Sequence, residues 1–156
     1  MRKWLIGLLA LVLLCGCNTS TTGKESAEMS LYNDIVEDLA SRTSFDEATD
    51  FQLAVTFTEI SERYHYVVTL TNTTITMKDV RMLTWSEYID DDYHPSLGIF
   101  EDPSYSLRPD YVDKDKGWYK GIALSGIVSE KSTVRVYLSY TDDDDQSVTC
   151  HYEVKA

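Results

Sequence analysis

Residues 51–71 read FQLAVTFTEISERYHYVVTLT, and apolar side chains alternate with polar ones in two runs within this stretch. A period of two is typical of a β-strand that buries one face and exposes the other. The inward positions are Phe51, Leu53, Val55 and Phe57 in the first run and Tyr64, Tyr66, Val68 and Leu70 in the second. The stretch therefore predicts two adjacent antiparallel strands.

Further short runs of the same kind follow along the chain. Strands are predicted over residues 78–88, 119–126, 134–140 and 148–154, with a short edge strand over residues 97–100. The acidic run Asp142–Asp145 would form the hairpin turn between the last two main strands. Six or seven short strands, each with one apolar face, predict a mainly β protein, and we favour an immunoglobulin-like antiparallel β-sandwich.

The alternation also predicts which side chains fill the core. A slip of one residue in any strand would expose its whole apolar set, so the register is strongly constrained. The side chains expected to face inward are Leu53, Val55, Phe57, Tyr66, Val68, Leu70, Val136, Leu138, Cys150 and Tyr152.

A short helix is expected before the first strand. Ser30 can cap a helix from Leu31 to Ser41, in which Leu31, Ile35 and Leu39 share one face. The preceding residues, 18–29, are almost wholly polar and are expected to form a flexible tether.

The N-terminal residues have the order of a secretory signal. Arg2 and Lys3 precede an apolar run over residues 4–14, and Leu14-Cys15-Gly16-Cys17 follows. This ending resembles the lipobox of bacterial lipoproteins. The apolar run is about half the ~20 residues that a spanning helix needs, which argues against an uncleaved signal anchor. An ordinary signal peptide that ends in cysteines is the other alternative.

The lipobox resemblance implies cleavage before Cys17, a diacylglycerol group on its thiol and an acyl chain such as palmitate on its new amino group. The chain would then comprise a signal peptide (1–16), a lipidated cysteine with its tether (17–29) and a helix plus β-sandwich domain (30–156). The expected location is the cell envelope, on the extracytoplasmic face of the cell membrane, held by the lipid anchor.

A second resemblance concerns the fold. Residues 66–72 followed by residues 78–82 resemble small immunoglobulin-like domains of Gram-positive lipoproteins, in which a strand ends in asparagine before a turn. The resemblance implies a fold and brings no active site with it.

Charge and cysteine content limit the function classes. The formal net charge is −12, and the loss of the two cations Arg2 and Lys3 with the signal peptide lowers it to −14. Such a domain repels nucleic acid and favours a cationic partner. Cys150 has no partner for an intrachain disulfide if Cys15 is removed and Cys17 is lipidated. We favour a core position for Cys150 over a reactive or intermolecular thiol.

The regular pattern breaks between Glu87 and Trp118, a long connection rich in tyrosine, aspartate and proline. Long connections on rigid scaffolds often carry binding sites, and tyrosine beside carboxylate suits cationic ligands. The alternative is that the rings cover one end of the sandwich while the acids are solvated. The candidate binding surface consists of Tyr88, Asp91, Tyr93, Phe100, Tyr105 and Tyr111.

Metal and cofactor binding have little support in the sequence. Asp113 and Asp115 are weak candidates for a calcium loop, because Lys114 and Lys116 intrude and the later acidic ligands are missing. A polar turn with Gly117 at positive φ fits better. We expect no cofactor and no metal.

Motifs for nucleophilic, metal-dependent or phosphate chemistry are missing from the sequence. We therefore expect a non-catalytic binding or interaction module, with the membrane and a cationic protein or envelope ligand as partners and no nucleic acid. A structural accessory subunit of a membrane complex is the second hypothesis. A hydrolase with dispersed carboxylates is the third.

Overall fold

The computed structural model describes residues 20–101 and 104–156, and within residues 20–22 it describes the backbone only. The signal peptide and Cys17 lie outside the described residues. One helix, one 3-10 turn at Lys114–Lys116 and nine strands are formed by the part of the chain described. They are α1 (Ser20–Ser41), β1 (Gln52–Ile60), β2 (Arg63–Thr71), β3 (Met77–Trp85), β4 (Ser96–Leu97), β5 (Tyr105–Leu107), β6 (Trp118–Tyr119), β7 (Ile122–Val128), β8 (Val134–Thr141) and β9 (Ser147–Val154).

The strands form two sheets. One has the order β1-β2-β7, and the other has the order β6-β5-β3-β8-β9, with β4 also paired to β3. The strands β1, β2 and β7 opposite β3, β8 and β9 match the A-B-E and C-F-G sheets of an immunoglobulin sandwich. All pairs are antiparallel except β5 with β6, which is parallel. The predicted mainly β, immunoglobulin-like sandwich is confirmed.

The predicted hairpin between the first two strands is confirmed over its whole length. Leu53 pairs with Leu70 and Ile60 pairs with Arg63, so the loop consists of Ser61 and Glu62 alone. Both loop residues have positive φ, of 47° and 67°. Positive φ at both positions is the geometry whose twist matches the two strands, even though neither residue is glycine or asparagine.

The core lies between the two sheets and contains the side chains that the alternation placed inward. Most of the predicted set is buried, and Leu53, Phe57 and Cys150 are half-buried and packed against the same cluster. The buried members of the predicted set are Val55, Tyr66, Val68, Leu70, Val136, Leu138 and Tyr152. The predicted core is confirmed, because the period-two pattern fixes which face of each strand is buried.

Helix α1 covers the outer face of the larger sheet. Ile35 and Leu39 are buried against Leu83 of β3, as the predicted apolar face requires. Arg135 of β8 donates hydrogen bonds to the carbonyls of Leu39 and Ala40 at 2.6 and 2.9 Å. A cation at the helix C-terminus satisfies free carbonyls and suits the helix dipole.

The helix is longer than predicted. It begins at Ser20 instead of Leu31, so residues 20–29 are helical and the prediction of a flexible tether there is wrong. Lys24 lies 3.6 Å from Glu28, a favourable spacing on a helix. The costly step in helix formation is nucleation, and the docked turns beyond Leu31 supply the nucleus. The polar residues before it then extend the helix without burying a face of their own.

Strand boundaries differ from the predicted ones around the long connection. The third strand ends at Trp85, and the short strand β5 was not predicted. The predicted strand over residues 119–126 is divided, with β6 before and β7 after Gly121. A Cβ at Gly121 would lie 2.6 Å from the Leu70 carbonyl oxygen, so the glycine permits a close approach of the two backbones at this division. Within the described residues, no helix has the length and apolar content to cross a bilayer.

Candidate functional site

Tyr93 and Phe100, two of the six residues of the candidate surface, both contact Tyr32 of helix α1. The ring of Tyr32 lies 5.5 Å from that of Phe100 and 6.3 Å from that of Tyr93, measured between centroids. Tyr93 is 67% exposed, Phe100 is 41% exposed and Met29 is 40% exposed, whereas Tyr32 is buried. Three apolar side chains thus stand in solvent around one buried ring.

These residues line a depression of about 360 Å³, which we call the aromatic pocket. Its surface is almost wholly apolar. Its lining consists of Met29, Tyr32, Tyr93, His94, Ser96 and Phe100. A shallow apolar pocket with aromatic walls, open to solvent on a β-sandwich, has the form of a recognition site.

Tyr105 and Tyr111 lie elsewhere, at the edge formed by β5 and β6. The Tyr105 ring packs 5.5 Å from Tyr119, and the Tyr111 ring packs 6.0 Å from Trp118. The guanidinium of Arg108 stands 5.8 Å from the Tyr111 ring. This second aromatic cluster does not contribute to the aromatic pocket.

Tyr88 and Asp91 lie along the outer edge of β7. The Asp91 carboxylate accepts a hydrogen bond from the Ile127 N–H at 3.1 Å, and the Tyr88 carbonyl accepts one from Ser129 at 3.0 Å. The first contact satisfies a backbone donor of the edge strand and the second lies just beyond its end, so both cover an edge that could otherwise pair with another chain. The candidate surface therefore separates into three regions in the fold.

The aromatic pocket is held by contacts between segments that are far apart in the chain. The Tyr32 hydroxyl accepts a hydrogen bond from the His94 N–H at 2.6 Å and donates one to the His94 carbonyl at 3.3 Å. The His94 ring stacks on Trp85 at 6.1 Å. Met29 is one helical turn before Tyr32 and lies on the same face. The helix and the loop thus fix one another.

Sequence reasoning missed Met29, Tyr32 and His94 as members of the site. A signal for Tyr32 was present, since it lies three residues before Ile35 and shares the buried stripe of the helix. Met29 was assigned to the tether, and this placement followed from the helix start that the structure corrects.

Gly98 forms the turn that places Ile99 under the helix and Phe100 in the pocket. Its φ is +72°, and a Cβ there would overlap the Val80 carbonyl oxygen. The Gly98→Ala substitution is expected to lower the free energy of unfolding by about 2–4 kcal/mol, from backbone strain together with overpacking. Urea denaturation would measure the change.

The matched control for Gly98 is Gly23→Ala in the exposed part of α1, where an added Cβ has no neighbour within 4 Å. Alanine favours a helix over glycine by up to about 1 kcal/mol, so this variant should be as stable as the parent or more stable. Equal effects of the two substitutions would contradict the close approach at Gly98.

His94 contributes a pH-dependent term to stability. Within the described residues, its Nδ1 is the only buried side-chain nitrogen or oxygen without a hydrogen-bond partner. Burial lowers the pKa of His94 below its ordinary value, because the charged ring is disfavoured there. The unfolded chain then binds the proton more readily, so the contribution is complete above about pH 6.5 and is lost as pH falls below that value.

We therefore expect the His94→Phe variant to lose less stability than the parent between pH 7 and pH 5. Free energies of unfolding from urea titrations at the two pH values would give both slopes. Phenylalanine keeps a ring against Trp85 and removes the titrating group. Identical slopes for parent and variant would show that His94 is not disfavoured in its charged form.

Three acidic residues are direct chain neighbours of exposed side chains in the aromatic pocket. Glu28 precedes Met29, Asp92 precedes Tyr93 and Glu101 follows Phe100. Two of these acids also make local contacts. Glu28 lies 3.6 Å from Lys24, and Glu101 accepts a hydrogen bond from the Phe100 N–H at 3.3 Å. These acids are not among the residues that line the aromatic pocket, and Glu28 and Glu101 line a neighbouring polar cleft.

A larger, polar cleft of about 480 Å³ lies between the first half of α1 and the bulged end of β3. Its charged lining has both signs and includes Arg81, Lys24, Glu28 and Glu101. Asp79 sits at the bulge with a φ of +51°. Mixed charges of this kind neutralise one another, so the cleft favours no class of ligand.

The predicted polar turn at residues 113–117 is confirmed. Gly117 has a φ of +73° and caps the short 3-10 turn. The Lys116 ammonium lies 3.0 Å from Asp113, and its hydrogen bond lowers the pKa of the Asp113 carboxyl. No three His, Cys, Asp or Glu side chains within residues 20–101 and 104–156 are grouped to hold a metal ion.

Fold and site together describe an immunoglobulin-like β-sandwich that carries a helix on its larger sheet and an exposed aromatic pocket beside that helix. No family model matches the chain, and no curated protein matches it.

Proposed function

We propose that this protein is an extracytoplasmic lipoprotein, anchored to the cell membrane by lipidated Cys17, and that its sandwich domain is a non-catalytic binding module. The aromatic pocket is its recognition surface. The anchor part of the proposal comes from the Leu14-Cys15-Gly16-Cys17 pattern.

The observation that carries the binding proposal is the exposure of Tyr93, Phe100 and Met29 around buried Tyr32. Exposed apolar side chains that cluster in one place commonly mark binding surfaces. Aromatic rings supply contact area at low conformational cost, and such rings dominate the energy of many interfaces. The hydrogen bonds from Tyr32 to the His94 backbone keep the pocket formed before a ligand arrives.

The length of α1 supports a site close to the membrane. The helix begins three residues after Cys17 and runs through Met29. At about 1.5 Å per residue, the helical segment from Ser20 to Met29 spans on the order of 15 Å. The pocket would therefore meet ligands at or near the membrane surface, with the helix restricting how far the domain can move from its anchor.

The net charge supports a cationic partner. The mature chain would carry −14, which accelerates encounter with a cation and makes the association rate fall as salt rises. Weak salt dependence would be evidence against this part of the proposal.

The test is capture of membrane partners by the lipidated protein and its variants. We expect the Tyr93→Ala and Phe100→Ala variants to recover at least about tenfold less partner, the effect of losing one strong aromatic contact. Tyr111→Ala is the matched control, because Tyr111 is also an exposed aromatic but packs on Trp118 outside the pocket. A partner recovered equally with all three variants would place the binding surface elsewhere and favour an accessory subunit that docks by another face.

A further inference from the structure

The aromatic pocket has the geometry of a partial ring cage. Tyr32 forms the floor, and the Tyr93 and Phe100 rings are inclined to it by 65° and 43°. Met29 closes part of the remaining side. The face of an aromatic ring is electron-rich and attracts a cation placed within about 6 Å of the ring centroid, and three such rings line this one pocket.

The net charge of the protein favours the same class of ligand. The chain carries a formal net charge of −12, so its overall field attracts cations and repels anions. Burial lowers the pKa of His94, so the one basic side chain in the lining is uncharged at neutral pH and does not repel a cation. An anion would face this net negative charge and the electron-rich rings and is disfavoured.

The hydrogen-bonding capacity of the pocket distinguishes between kinds of cation. A primary ammonium carries three N–H donors that need acceptors when it leaves water. The Tyr32 hydroxyl is already engaged with the His94 backbone, and the rest of the lining is almost wholly carbon. A quaternary ammonium has no N–H group, so it loses no hydrogen bond on entering such a site.

We propose that the aromatic pocket binds a quaternary ammonium group of the choline type. The proposal rests on the proposed function, since it names the ligand chemistry of that same pocket. The proposed ligand is the trimethylammonium group itself. The test below distinguishes it from the primary ammonium of a lysine side chain.

The test uses the full chain labelled with ¹³C at the methionine methyl groups, in a maltoside detergent that carries no ammonium group. On titration with choline, the Met29 signal is expected to shift and saturate. Met77 and Met82 are fully buried in the core and serve as internal controls whose signals should not move.

The uncharged compound of the same shape, 3,3-dimethylbutan-1-ol, should bind at least about fivefold more weakly if a cation–π contact contributes. Butylammonium, the primary amine, should also bind more weakly than choline.

Leucine variants separate the ring face from apolar area. Tyr93→Leu and Phe100→Leu keep an apolar side chain and remove the ring, so choline affinity should fall at least about fivefold while that of the uncharged compound changes little. Tyr111→Leu, outside the pocket, should leave both affinities unchanged.

Three outcomes would overturn the proposal. Choline that leaves the Met29 signal unmoved would show that the pocket does not take this group. Equal affinity for choline and the uncharged compound would show an apolar pocket without cation selectivity. Tighter binding of butylammonium would assign the pocket to lysine-like ligands. Partner capture by the Tyr93→Ala and Phe100→Ala variants is a separate measurement. Choline binding tests the ligand proposed for the pocket, whereas partner capture tests whether the pocket is the binding surface, so either proposal can be refuted without the other.

Discussion

Replacing Tyr66 by alanine is expected to lower the free energy of unfolding by about 3–5 kcal/mol, the cost of deleting a buried aromatic ring. Tyr66 is fully buried, and it lies in β2 opposite Gly126 of β7. A Cβ at Gly126 would lie 2.9 Å from the Tyr66 ring, so the glycine leaves room for the ring. Urea denaturation of parent and variant would measure the loss.

The Tyr66→Phe variant is the matched control, because it keeps the ring and removes the hydroxyl. That hydroxyl is hydrogen-bonded to Thr84 Oγ1 at 3.0 Å and joins the two sheets. Burial raises the pKa of Tyr66 to about 12, so the hydroxyl stays protonated at neutral pH. The loss should be about 1–3 kcal/mol, since the Thr84 hydroxyl is left buried without its partner. Equal losses for alanine and phenylalanine would contradict the packing role of the ring.

Replacing Cys17 by serine is expected to abolish membrane attachment of the processed protein. Serine has no thiol to carry diacylglycerol, and two or three acyl chains are needed for durable anchoring. The variant should accumulate as an uncleaved precursor or as a soluble secreted form, and it should incorporate no labelled palmitate. Fractionation of cells grown with a labelled fatty acid would show both effects.

Cys15→Ser and Cys150→Ser are the matched controls for Cys17. Cys15 precedes the expected cleavage site, and Cys150 is half-buried against the core. Both variants should remain acylated and membrane-bound. A Cys17→Ser protein that still fractionated as a processed, acylated membrane species would refute the lipobox interpretation.

The strands and the core were predictable because their signal is local. Side chains on a strand alternate between two faces. Val68 and Leu70 therefore identify the buried face of β2, whichever strands pair with it. The same reasoning placed Val136 and Leu138 inward, and the structure confirms them. The two-sheet architecture also followed, since short strands with one apolar face have few stable arrangements, whereas the strand order within each sheet was not predicted.

The helix start was not predictable from composition. Residues 20–29 are polar, as a flexible tether would be. The docked helix beyond Leu31 supplies the nucleus, so these residues become helical without the free-energy cost of nucleation. That docking depends on Leu83 and on Arg135, which belong to strands far along the chain.

The sequence by itself determined that this chain forms a β-sandwich with an acidic surface, and it pointed to the long connection as the place for a binding surface. The tertiary structure alone decided which aromatic side chains of that connection meet. Tyr93 and Phe100 join Tyr32 on the helix, whereas Tyr105 and Tyr111 pack at another edge. The Tyr32 hydroxyl bonds to a backbone 62 residues away. Periodicity reports the face on which a residue lies, but contact between distant segments depends on how the sheets and helix pack together.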